Sequence, residues 1–275
     1  EVTIFKRQDA CHELTILGFE INCNTDDECE LLEASPLPPR RIEVYGDSVS
    51  AGEVSEAIDY VAKADPEHNG EYSNSWYSYA WIAARKLDAQ LHDIAQGGVA
   101  LLDNTGWYHE PDYIGMEQVW NKMRYNPDYG TVKEWDFSKY TPDIVIVAIG
   151  QNDSHPDDYM KTDYEGEKAK NWRTHYRQFL AKLREPIQMH GLSAVQHCCS
   201  MISDGICPSV RQFRILATKR FLIVSSREME RQHRDIFVFQ RQRRWQKSCA
   251  NIFELLELKD TKLKTKLMST NCLVV

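Results

Sequence analysis

An α/β fold organised on a parallel sheet is what the sequence predicts, and three observations predict it. From Arg41 to Glu185, stretches of strand character alternate with stretches of helical character. The run PDIVIVAIG, Pro142 to Gly150, is almost unbroken in its apolar character, as in a parallel strand buried on both faces. The run YEGEKAKNWRTHYRQFLAKLRE carries Trp172, Tyr176, Phe179, Leu180 and Leu183 on one face of an amphipathic helix.

The remaining elements follow in order. VTIFKR and ELTILGFEI read as two β-strands, by alternation and β-branched content. Two strands alone are marginal, so residues 1–35 are read as the end of a β-domain. ASPLPPR, Ala34 to Arg40, is a proline-rich linker, and residues 36–185 form the α/β core. RIEVY is a strand. Asn74 or Ser75 caps a helix running through WYSYAWIAARKLDAQ. LHDIAQ is a strand that ends in the Gly97-Gly98 turn, and GMEQVWNKM is a short helix. Trp76 and Trp81 are read as packing that first helix, whereas Trp107 and Tyr108 fall in a loop where a ring can serve as a binding platform.

The bulk numbers set limits. An apolar content of 42% in 275 residues supports a sizeable core, and no run of 18 apolar residues is present to span a membrane. The net charge of −8 argues against general nucleic-acid binding. That average hides a break at Glu185. Residues 186–275 hold 15 Lys+Arg against 7 Asp+Glu, whereas residues 1–185 hold 18 against 34. The same tail holds five of the eight cysteines and one of the seven tryptophans. Neither the strand nor the helix period is clear in it.

Active sites of parallel α/β sheets lie at the carboxyl ends of the strands. Ser48, Gly98 and Asn152 each follow a predicted strand there. A serine hydroxyl is a candidate nucleophile, and a glycine N–H and an asparagine amide are neutral donors suited to a developing oxyanion. Each motif alone is weak. Gly-Asp-Ser is most often a turn, Gly-Gly a tight turn, and Asn-Asp a loop or cap. In this order, each closing a strand, they point to acyl transfer.

GDSVS, QGGVALLD and GQND resemble the first three conserved blocks of the SGNH (GDSL-type) hydrolases. RIEVYGDSVSAGEVSEA together with AIGQNDSHPDD is most similar to carbohydrate esterase family two. The resemblance covers Val2 to about Glu185. It implies a flavodoxin-like three-layer sandwich preceded by the last strands of a β jelly roll. It makes Ser48 the nucleophile, with Gly98 (or Gly97, one residue earlier) and Asn152 as oxyanion donors. It implies deacetylation of plant polysaccharides through an acetyl-enzyme, with no metal or cofactor and with acetylated polysaccharide as partner rather than nucleic acid or membrane. It also implies secretion, although no signal peptide is read in the chain, and Trp107 and Tyr108 become the candidate sugar contacts.

The family's catalytic histidine lies near the carboxyl end, in a segment like NGxGTPGH, and this sequence has none. Its nine histidines, at 12, 68, 92, 109, 155, 175, 190, 197 and 233, carry no such context. The genetic code suggests why. If each codon's last base is read with the first two of the next, Met189-His190 forces Ala, Met201-Ile202 Asp, Met229-Glu230 Gly and Trp245-Gln246 Ala. Within the freedom of the other codons, Glu228 onward permits NGKATPGHIRIPEAEE, whose histidine spans the Asp235 and Ile236 codons. Residues 186–275 are therefore read as an out-of-frame translation replacing the end of the hydrolase domain. The expected result is an esterase core that is inactive or impaired. The alternative from another class is a non-catalytic carbohydrate-binding or scaffold protein.

Overall fold

The computed structural model describes residues 4–9, 13–20, 33–60 and 63–185. The whole tail from residue 186, with its cysteines and histidines, lies outside the described residues, as do His12, Cys23 and Cys29.

Strand β1 (Arg40–Gly46) runs into a short helix α1 (Ser48–Ala51). Helix α2 (Tyr79–Lys86) and strand β2 (Ala89–Ala95) follow. Then come helix α3 (Met116–Val119), the small antiparallel pair β3 (Lys122–Arg124) and β4 (Lys133–Glu134), strand β5 (Ile144–Ala148), and helices α4 (Tyr159–Thr162) and α5 (Glu167–Arg184). The main sheet has the order β2-β1-β5, parallel throughout. The α/β class read from the sequence is the one observed. None of the described helices is long and apolar enough to cross a membrane.

Side-chain alternation along β1 builds two cores. Ile42 and Val44, with Ile146 and Ala148 of β5, pack against Tyr79, Ala80, Ala83 and Ala84 of α2. Tyr45, Val145 and Val147 point the other way, against Trp172, Tyr176, Phe179, Leu180 and Leu183 of α5 and Met116 and Val119 of α3. The sheet is thus the middle of three layers. The buried stripe of α5 contains all five residues that its period selects.

Three expectations are corrected. Asn74 caps only a single 3₁₀ turn, Ser75–Tyr77; the α-helix starts later, at Tyr79, because the Ser78 hydroxyl accepts from the Trp81 N–H. Residues 4–9 and 13–20 belong to no strand among the described residues. The Arg7 carbonyl instead accepts from the Ser75 N–H at 2.8 Å, so its backbone bonding goes to a loop rather than a ladder. Trp76 and Trp81 do not enter the core. They stack at 6.3 Å and hold the edge of Phe5, 5.0 Å from each ring.

Candidate active site

Register sets the site. Gly46 lies opposite both Ala95 and Ala148, so the three parallel strands end level. Ser48, Gly98 and Asn152 lie two, three and four residues beyond those ends. All three are half-buried, and each borders a buried residue: Asp47, Val99 and Asp153.

Ser48 is the first residue of α1, so its backbone N–H has no acceptor within the helix. Asp47 caps that helix, its Oδ1 accepting from the Val49 N–H at 3.1 Å. Gly46 lets α1 fold back tightly, because a Cβ there would lie 2.0 Å from the Ser50 hydroxyl oxygen. The Ser50 hydroxyl is hydrogen-bonded to the Tyr79 hydroxyl at 2.7 Å, which fixes α1 against α2.

Gly98 has φ +75°, and a Cβ there would sit 2.9 Å from that of Trp107. Its carbonyl accepts from the N–H groups of Trp107 (2.8 Å) and Tyr108 (3.2 Å). The two glycines are separated by their bonding. Gly97 donates its N–H to Asp9 Oδ2 at 2.9 Å, whereas no acceptor among the described residues takes the Gly98 N–H. The Asn152 amide donates one hydrogen to the Val99 carbonyl at 2.9 Å, which brings the loop after β5 onto the loop after β2 and leaves its second amide hydrogen for another acceptor.

Asp153 fixes the same junction. Its two carboxylate oxygens accept from Leu101 N–H (2.7 Å) and Leu102 N–H (3.1 Å). Burial raises its pKa to about 6, against the opposing pull of those N–H groups. Burial also raises the Asp47 pKa to about 7, with the Glu53 carboxylate adding to the shift. This has a sign. Between about 3.8 and 7 the native state holds a proton on Asp47 that the unfolded chain has released, so that stabilisation is full below this window and gone above it. Asp47→Asn therefore gains stability relative to the parent as pH rises from 4 to 8, by up to about 4 kcal/mol. Urea unfolding of both proteins at the two pH values measures it; parallel curves contradict it.

The described histidines are occupied elsewhere. His68 Nδ1 lies 2.5 Å from Glu53 Oε1, and His175 Nδ1 lies 2.7 Å from Glu117 Oε2. His92 stacks on Tyr140 at 3.6 Å, and His109 faces Asp128 at 3.5 Å. His155 donates from Nδ1 to the Gly106 carbonyl at 2.9 Å and stacks on Trp107 at 3.5 Å. Among the described residues, no imidazole is hydrogen-bonded to Ser48.

The two candidate sugar contacts differ. The Trp107 ring is 57% exposed, with one face laid on His155. Tyr108 is 4% exposed and belongs to the core beside α3 and α5, so its ring has no open face for a sugar. Sequence adjacency made the pair look equivalent; in the fold the Trp107 ring turns outward onto His155 and the Tyr108 ring turns into the core. The sequence reading missed Asp9, whose contact with Gly97 bridges 88 positions and has no local signal.

No family model matches the chain. It is 37% identical over 127 residues to an acetylxylan esterase/glucomannan deacetylase of Cellvibrio japonicus, a match spanning 46% of this chain and 33% of that protein. It is 32% identical over 154 residues to the cellulase/esterase CelE of Acetivibrio thermocellus, spanning 55% and 17%. The chain thus spans a third or less of the length of the curated relatives it matches. A solved family two carbohydrate esterase from Cellvibrio japonicus superposes with a TM-score of 0.59 at 22% identity, covering 82% of this chain and 65% of that one. Another, from Clostridium thermocellum in complex with cellohexaose, gives 0.51 at 22% identity, covering 70% and 56%. The chain thus shares its fold with solved family two carbohydrate esterases, and part of its sequence with curated proteins named as esterases, in line with the resemblance carried by RIEVYGDSVSAGEVSEA and AIGQNDSHPDD.

Proposed function

We propose that residues 36–185 are most of the catalytic domain of a serine esterase that removes acetyl groups from plant polysaccharide. The observation that carries this reading is the level ending of three adjacent parallel strands, with Ser48, Gly98 and Asn152 just beyond. Ser48 Oγ attacks an acetyl carbonyl carbon. The carbonyl oxygen becomes an oxyanion held by the N–H groups of Ser48 and Gly98 and by the free Asn152 amide hydrogen. The tetrahedral intermediate expels the sugar hydroxyl and leaves an acetyl-enzyme, which water then hydrolyses. The curated relatives, named for acetylxylan, glucomannan and cellulose chemistry, support the substrate class. An extracellular site of action fits substrates too large to enter a cell.

The cycle needs a base for the Ser48 proton, and every described imidazole is engaged elsewhere. Together with the break at residue 186, this supports a chain whose chemistry is impaired. Its hydrolysis of p-nitrophenyl acetate is then no faster than that of its Ser48→Ala variant. A rate that falls in Ser48→Ala overturns the impairment and keeps the esterase.

The exposed Trp107 ring favours a binding role alongside, or in place of, turnover. His155 holds that ring from below, so a sugar can stack on its outer face with little side-chain ordering. Trp107→Ala weakens binding of acetylated xylan about tenfold, measured by calorimetry. Unchanged affinity removes Trp107 from the sugar site.

A further inference from the structure

Residues 4–9 form a strap across the loops beside the site. Phe5 is held edge-on by Trp76 and Trp81, and Arg85 covers Trp76 from 3.9 Å. The Ser75 hydroxyl and N–H both donate to the Arg7 carbonyl, and Arg7 pairs with Glu56. The Gln8 amide donates to the Gly70 carbonyl at 2.6 Å. The strap ends at Asp9, whose Oδ2 accepts from two donors, the Gln96 side-chain amide at 2.9 Å and the Gly97 N–H at 2.9 Å. Gln96 is itself fixed: it is 1% exposed, its Oε1 accepts from the Tyr125 hydroxyl at 3.0 Å, and its N–H donates to the Gly46 carbonyl at 3.3 Å.

A Gly-Gly turn has two consecutive N–H groups and wide backbone freedom, so either can turn toward an acceptor in the site. Asp9 removes the choice. We propose that Asp9 is a positioning residue for the acyl-oxygen site: by holding the Gly97 N–H and the Gln96 amide, it fixes the turn with the Gly98 N–H as the donor left for the oxyanion. This rests on the reading of Ser48, Gly98 and Asn152 given above. The role is geometric. A negative charge near a developing oxyanion opposes it, so the contribution of Asp9 comes from its acceptor oxygen and not from its charge. The strap anchors that carboxylate from Phe5 to Gln8, which makes a segment outside the sheet part of the site's support.

Methylboronic acid tests this without requiring turnover. Its boron accepts a lone pair from Ser48 Oγ, the serine proton goes to solvent, and the resulting tetrahedral anion presents an oxygen where the oxyanion forms. Affinity is read by amide NMR titration of the full chain, with urea unfolding alongside. The expected result is that Asp9→Ala weakens binding about tenfold under conditions where urea unfolding shows the chain still fully folded, while Asp9→Asn, which keeps the acceptor, stays within about threefold of the parent. Parent-like affinity in Asp9→Ala overturns the proposal. So does an Asp9→Asn loss as large as that of Asp9→Ala. If the parent binds no boronate, or binds it equally well as Ser48→Ala, the reading of the site fails and this proposal with it. If binding depends on Ser48 and Asn152 but not on Asp9, only this proposal fails.

Discussion

If residues 186–275 are out of frame, correcting the frame from codon 186 raises p-nitrophenyl acetate turnover by about 10⁶-fold, and Ser48→Ala in the corrected chain returns it to background. The size comes from the cost of removing one member of a serine–histidine pair, on the order of 10⁶ in kcat. The proposed donors, the Gly98 N–H and the Asn152 amide, do not need rebuilding, because they rest on residues before 186. β1, β2 and β5 end in register, and Asp153 and Asn152 tie the loops beyond β2 and β5 together. What the corrected frame is expected to add is a histidine to accept the Ser48 proton, in the segment whose codons permit NGKATPGHIRIPEAEE. The measurement is steady-state hydrolysis by the two chains side by side, after sequencing of the encoding DNA. A corrected chain that gains nothing contradicts the proposal that the tail is out of frame.

In the corrected chain, Asn152→Ala lowers kcat by about 10²- to 10³-fold and changes KM little. One amide hydrogen of Asn152 already meets the Val99 carbonyl, so the amide is oriented before substrate arrives. A preorganised donor acts mainly where charge develops, in the transition state, and its loss therefore appears in kcat. Asn152→Asp is worse still, because it puts a carboxylate where the oxyanion forms. Michaelis–Menten parameters of the three proteins check this. A rise in KM at constant kcat would make Asn152 a ground-state contact.

Much of the fold was legible because it rests on local pattern. PDIVIVAIG reads as a doubly buried strand, and β5 is buried by α2 on one face and α5 on the other. The period of α5 named its buried face residue by residue. Other features follow from tertiary contacts that no local pattern records. Glu43 falls within the strand RIEVY where alternation leaves a polar residue outside, yet it is 1% exposed, because both faces of the sheet are covered. The Tyr45 hydroxyl donates to it at 3.0 Å, which satisfies part of its need. The strand character of VTIFKR is real as composition, but among the described residues the backbone of Arg7 bonds to the loop at Ser75.

The same division holds at the site. The placement of Ser48, Gly98 and Asn152 just beyond strand ends was legible, because each follows a readable strand and sits in a small polar or glycine motif. The bonding that distinguishes Gly97 from Gly98 was not legible, since the acceptor for the Gly97 N–H is a carboxylate 88 positions away, at Asp9. Trp107 and Tyr108 were indistinguishable in sequence because both are aromatic and adjacent. Their surroundings in the fold, His155 beneath one and the core around the other, separate a platform from a core residue.

The central claim is that three strand ends bring a hydroxyl and three N–H donors around one oxygen. A crystal structure of this chain with methylboronic acid tests it most directly. The predicted result is a covalent bond from Ser48 Oγ to boron, with one boronate oxygen about 3 Å from the Ser48 N–H, the Gly98 N–H and the Asn152 amide together. A boronate whose oxygens meet other groups, with Gly98 or Asn152 beyond hydrogen-bond reach of all of them, contradicts it.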